Sequence, residues 1–418
     1  MSLLSLYSYA QLPAVITCWQ QNSTNTGFGG ILTNVQEVNY SATYVYVKTN
    51  DIPSWIPIGY NWPNNPWFPA AMSYQFRIRR NPIPNVGPET ATGFGHIGLW
   101  KNGCSIYNPK DAKSYEDSSV WFQNAWYWEH LAGETFDHCI GHPNGSGEYH
   151  THASPACLYD IEDSLQASPL IGYAFDGFPI YGGYGYSDPL DTTSSIARLR
   201  SGYRLRSITD RIVLPDSTVL QPIHYGPSLN SIPLGGYMED YEFVPGLGDL
   251  DIHNGRFCIT KEYPTGTYAY FTTLAWVNDT FGYGIKPIFP FVIGTTYYGE
   301  VYPADGNTGP GSGFVVIAEP VTQYVDSTST VHELNDNINF QLFPNPANNQ
   351  FHFQLDAKDH SETYVGTIYS VNGDEIEQVV VVPGNMYLYD ANRLSNGIYF
   401  LKIVTSKNAY SYKFIVAK

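Results

Sequence analysis

Glycine and proline interrupt this chain so often that long regular elements have little room. The 418 residues include 38 Gly and 29 Pro, and the runs between them are short and rich in Tyr, Val and Ile. Aromatic residues make up 16 % of the chain, 35 of them Tyr, and these residues suit a pleated, half-buried surface. The pattern predicts a mostly β chain with one or two helices, a β-rich α+β main domain. Hydrophobic residues reach 43 %, enough for sizeable cores, and the length suits two or three domains of ~150 residues.

The net charge of −17 argues against nucleic acid as a partner and suits divalent cations. No run of 18 or more apolar residues occurs, so no transmembrane helix is expected. Residues 1–14 read as a signal-peptide remnant, with the small-x-small pattern Ser8-Tyr9-Ala10 before Gln11, or as an ordinary N-terminal strand. The five cysteines form no Cys-x-x-Cys pair, which disfavours a thiolate zinc knuckle. In an exported protein Cys139 and Cys157, which flank the densest histidine run, are the best disulfide pair.

Three local expectations follow from the main domain, residues 15–318. Asn39 to Val47 reads as a β run, Phe94 to Tyr107 as a hairpin turning at Asn102-Gly103, and Ile52 to Pro69 as an irregular loop. Ser114 to Leu131 reads as the clearest helix, capped by Ser118 or Ser119, and Ser194 to Leu199 as a short second one. Residues 319–337 are polar and without periodicity, a linker. Residues 338–418 carry many short strands separated by turn signals, a small all-β sandwich. Within this tail Phe343-Pro344-Asn345-Pro346-Ala347-Asn348, Ile368-Tyr369-Ser370-Val371-Asn372-Gly373 and Leu394-Ser395-Asn396-Gly397-Ile398-Tyr399 resemble the C-terminal sorting domain of the type IX secretion system. The resemblance implies a Bacteroidota-like source, the type IX machinery as partner, and a secreted or outer cell-surface location.

Six of the eleven histidines fall between His96 and His152. If Glu148 to His152 is a strand, Glu148, His150 and His152 share one face. Two imidazoles at i and i+2 can grip one ion, and His142 can return as a third across the turn Asn144-Gly145-Ser146-Gly147. Neutral imidazoles favour a divalent transition metal, Zn or Cu first. Glu148 or Asp137 is the candidate general base on bound water. The alternative is a structural polar network with no ion.

Two further stretches carry chemistry. Asp176 stands alone in the apolar run Ile171-Gly172-Tyr173-Ala174-Phe175-Asp176-Gly177-Phe178; it is either a fourth metal partner or a turn cap. Asp249, Asp251 and Asn254 faintly suggest a calcium loop with the wrong register, so calcium ranks behind. Together with Gly147-Glu148-Tyr149-His150-Thr151-His152 and Gly266-Thr267-Tyr268, these blocks resemble the YHYH domain family, over about residues 40 to 295. That resemblance implies a β-rich secreted domain and no particular reaction. Thr151 replaces the second Tyr of the name motif, and Ala269 stands where a His is expected.

Two function classes therefore compete. One is a metal-binding domain, a metal-dependent hydrolase or oxidase, with His142, His150, His152 and Asp176 at the ion and a small-molecule or glycan substrate. The other is a non-catalytic surface module, or an adhesive protein, whose histidines are structural and whose Tyr and Trp make the contacts.

Overall fold

In a computed structural model the described residues are 12–22, 24–56, 60–62, 64–309, 311–325, 339–344, 347–356, 364–371, 374–382, 385–404 and 409–418. Most of the segment expected as a signal remnant, and most of the expected linker, lie outside them. The chain divides into two compact units, Met1–Val325 and Asp326–Lys418.

The first unit is built on an eight-stranded mixed sheet. Its order is Gly255–Cys258, Thr267–Phe271, Pro179–Tyr181, Leu170–Ala174, His96–Trp100, Ser105–Tyr107, Tyr149–Thr151 and His142–Pro143. The pairs Pro179–Tyr181 with Thr267–Phe271, and Ser105–Tyr107 with Tyr149–Thr151, are parallel. The central strands His96–Trp100 and Leu170–Ala174 are buried at every residue; both faces of the sheet are covered, which explains their unbroken apolar reading. Along Thr267–Phe271, Ala269 and Phe271 enter one core while Tyr268 and Tyr270 enter the other. The first core is shared with a four-stranded sheet of Thr322–Tyr324, Val35–Tyr40, Tyr44–Thr49 and Tyr74–Arg79. Thus the segment expected as a linker begins as an edge strand, Thr322–Tyr324 beside Val38–Tyr40. The expected single run from Asn39 to Val47 is two strands with a turn at residues 41–43. The hairpin at Asn102-Gly103 forms, with Gly103 at φ +85°.

The expected helices are corrected. Of Ser114 to Leu131 only a short 3-10 turn, Tyr115–Asp117, and a π-helical turn, Trp126–Leu131, are helical, with a strand Phe122–Asn124 between them. Left-handed backbone at Glu116, Asp117 and Ser119 breaks the run. The indoles of Trp121 and Trp128 donate instead to the distant carbonyls of His224 (3.0 Å) and Gly236 (2.7 Å). Ser194 to Leu199 contains a strand, Ile196–Arg198, paired with Tyr184–Tyr186. No helix among the described residues is long and apolar enough to cross a membrane.

The second unit has two antiparallel sheets. One contains Asn339–Phe343, Gln350–Asp356 and Met386–Asp390; the other contains Glu375–Val381, Tyr364–Ser370, Gly397–Val404 and Ala409–Val416. Phe351, Phe353 and Leu355 from the first meet Ile368, Leu401 and Phe414 from the second in one core, a small sandwich.

Cys139 and Cys157 form a disulfide, with Cα atoms 5.2 Å apart and a sequence separation of 18. The bond brackets His142, His150 and His152. Cys157→Ser is expected to lower the unfolding free energy by about 3 kcal/mol, the loop-closure contribution for a loop of this size. Urea unfolding of the two proteins measures it; equal midpoints would mean that the loop is ordered without the bond.

Candidate metal centre

The edge of the eight-stranded sheet assembles the site. His142 and His150 lie directly opposite each other on antiparallel strands. The connection is tight: Gly147 N–H donates to the Asn144 carbonyl (2.9 Å), and Asn144 Oδ1 accepts from the Ser146 and Glu148 amides at 2.9 and 3.2 Å. Gly147 has φ +87°, and a Cβ there would meet the Ala70 Cβ at 2.8 Å, so glycine is required twice over. His152 follows His150 by two residues and projects to the same side. The result brings His142, His150 and His152 together, with ligand nitrogens all within 4.8 Å of one another.

Each ring is anchored by one nitrogen. His150 Nδ1 donates to the Glu148 carbonyl (3.2 Å), and His152 Nδ1 to the Asn108 carbonyl (2.7 Å). Thr135 Oγ1 donates to the Glu129 carbonyl (2.9 Å), which leaves it to accept from His142 Nδ1 at 3.0 Å. With Nδ1 protonated, a neutral imidazole carries its lone pair on Nε2. The three Nε2 atoms are the ones that converge: those of His150 and His152 are 3.1 Å apart. His142 Nε2 is buried with no hydrogen-bond partner. Lone pairs facing at that distance repel unless a proton or a cation sits among them.

Glu129, on the π-helical turn, supplies negative charge. Its Oε2 is 3.2 Å from His152 Nε2 and 3.6 Å from His142 Nε2. Burial alone would raise its pKa, but the hydrogen bond and charge of His152, with the other two rings, hold it down at about 2. Burial and the neighbouring imidazoles push His142 well below the usual imidazole range and His150 to about 4. Burial also disfavours charge on His152, but Glu129 outweighs it and raises that ring. The centre opens onto a cleft of ≈ 430 Å³, and Glu129, Thr135, His142, His150 and His152 are part of its wall.

The carboxylates expected at the ion lie elsewhere. Glu148 Oε1 is 2.5 Å from His96 Nε2, and its Oε2 accepts from the phenols of Tyr74 (2.8 Å) and Tyr107 (2.7 Å). Burial would raise this group, but His96 holds it down at about 2. Its side chain is spent on this closed network, although the Tyr107 ring stacks on His150 at 4.0 Å. Asp137 organises the loop before His142: it accepts from the amides of Cys139 and Gly141 and from the Tyr149 phenol (2.9 Å). Asp176 is fully buried and accepts from Tyr270 Oη (2.5 Å) and the amides of Gly299 (2.8 Å) and Phe178 (3.1 Å). Burial raises it to about 6. Neither Asp137 nor Asp176 joins the triad, because each is already saturated by donors of its own. The calcium-like residues are likewise dispersed: Asp249 pairs with Arg200, Asp251 caps its own turn, and Asn254 donates to two carbonyls. Thr151, in place of the family's second Tyr, accepts from the Trp100 indole (2.8 Å) on the opposite side.

Glu129 is the residue that sequence reasoning missed. A regular helix through Leu131 gives it no reason to meet histidines on a strand 13 to 23 residues later. A second grouping, His138 with Cys139 and Cys157, has both sulfurs in the disulfide. Comparison with known families gives two matches. Residues 75–281 match the family described as YHYH protein, and residues 341–417 match the secretion system C-terminal sorting domain. No curated protein matches the chain.

Proposed function

For a chain that carries a YHYH domain and leaves the cell through its type IX sorting domain, to be secreted or held at the outer surface, we propose that the first unit binds one divalent transition-metal ion. His142, His150 and His152 hold it through Nε2, with Glu129 beside them on the cleft side. The observation that carries this reading is the convergence of three Nε2 atoms whose Nδ1 atoms are all otherwise engaged. Backbone and hydroxyl partners at Nδ1 are the usual means of orienting metal-bound imidazoles. Three imidazoles and a carboxylate suit Zn or Cu better than calcium. An ion held this way at a cleft has room for a water or a substrate oxygen, as catalytic rather than closed structural sites do. When bound, the ion would supply Lewis acidity; Glu129, 27 % exposed, is the group nearest to take a proton from a bound water.

The test is metal analysis of untagged, full-length protein after dialysis against trace metals. About one equivalent of zinc or copper is expected, and a metal-free protein under those conditions would end the reading.

Binding should depend on pH in a defined direction. His152 is held above the usual imidazole range, so the cation must displace its proton, whereas Glu129 at about 2 and His150 at about 4 are already deprotonated near neutrality. Apparent affinity is expected to fall about tenfold per unit as pH drops below the His152 pKa, and to level off above it. Competition with a chromogenic chelator from about pH 5.5 to about pH 8 measures the slope. A flat profile would mean that no imidazole proton is displaced.

A further inference from the structure

We infer that the cleft over the three imidazoles takes a neutral saccharide ring, stacked on Trp67 with hydroxyls turned toward the cation position. In its last clause the inference rests on the metal reading above; the stack does not.

Trp67 is 51 % exposed, whereas Trp19, Trp62, Trp100 and Trp121 are fully buried. Single exposed aromatics are common, but this one is held in place. Its amide donates to Asn65 Oδ1 (3.0 Å), and the buried Asn65 amide donates to the carbonyl of Pro143 (2.8 Å), the residue after His142. Three residues on, Ala70 N–H donates to the Gly147 carbonyl (2.8 Å). The segment that carries the indole is therefore tied at two points to the ligand strand and the turn after it. A second aromatic residue, Phe94, is 40 % exposed in the same cleft, set against Phe122 at 5.4 Å, with the Lys110 ammonium 4.9 Å from its ring.

Polar side chains share the lining with these aromatic residues. Asn64, Lys110 and Asp111 bring an amide, an ammonium and a carboxylate into the cleft, a mixed set that suits hydroxyls as both donors and acceptors. A pyranose presents a C–H face to an indole and a rim of hydroxyls to such groups. The cleft volume of ≈ 430 Å³ lies within the ~300–1,000 Å³ of small-molecule sites. The chain's net charge of −17 disfavours an anionic ligand.

The experiment titrates full-length, zinc-loaded protein with neutral tetrasaccharides of glucose, xylose, mannose and N-acetylglucosamine, read by tryptophan emission and calorimetry. At least one is expected to bind saturably. Trp67→Ala should weaken it about tenfold or more, Trp67→Tyr should recover most of the loss, and neither should change metal content. Asp111→Asn should weaken the same sugar. Absence of binding by all four at millimolar concentration, or equal affinity in Trp67→Ala, overturns the inference. Binding that survives a chelator yet still requires Trp67 supports the stack and counts against the cation reading alone.

Discussion

His150→Ala is expected to empty the metal centre. His150 is the middle member of the triad: its Nε2 is 3.1 Å from that of His152, and its ring centroid is 4.7 Å from that of His142. Losing an outer partner of a metal ligand costs ~10–100-fold in affinity; losing a ligand itself should cost more, leaving the dialysed protein without measurable metal. The control is Glu148→Gln. Glu148 is equally buried and adjacent, but its side chain serves His96, Tyr74 and Tyr107, and the atom that holds His150 is its carbonyl, which the substitution keeps. That variant should retain its metal. Equal metal content in wild type and His150→Ala would refute the triad.

The largest expected effect on stability is at Asp240. Arg211 and Asp240 are both fully desolvated. Arg211 gives Nε and one terminal nitrogen to the two carboxylate oxygens, at 2.7 and 2.8 Å, and its remaining donors go to the carbonyls of Pro227, Ile232 and Pro233. Asp240 also accepts from the amides of Gly235 and Tyr237. Removing one partner strands a buried charge, so Asp240→Ala should destabilise the first unit by about 3–5 kcal/mol. The exposed pair Arg200–Asp249 offers the contrast, and Arg200→Ala should leave the unfolding midpoint nearly unchanged. Chemical denaturation of both variants decides; similar midpoints would show that burial does not govern the Arg211 pair. The effect should reach the candidate metal centre as well. The Gly236 carbonyl, one residue beyond the amide that Asp240 holds, accepts from the Trp128 indole, next to Glu129.

What sequence could show was local. Turn chemistry at Asn102-Gly103 and at Asn144 to Gly147, strand alternation at His150 and His152, and the bracketing cysteines are all short-range patterns, and the fold respects them. The missing information was long-range. Asp176 looked like a candidate ligand because its donors, Tyr270 and Gly299, are 94 and 123 residues away. Glu148 was drawn off by His96 and Tyr74, 52 and 74 residues away. Glu129 was hidden because the segment before it follows left-handed turns and indole contacts rather than its helical periodicity.

Two of the three imidazoles lean on main-chain oxygens, those of Asn108 and Glu148. An oxygen of the main chain survives any substitution at its own residue. The polar side-chain contacts through which mutational drift can retune this centre are those of Thr135 and Glu129. Variants that alter its chemistry while sparing its shape should be sought at those two positions.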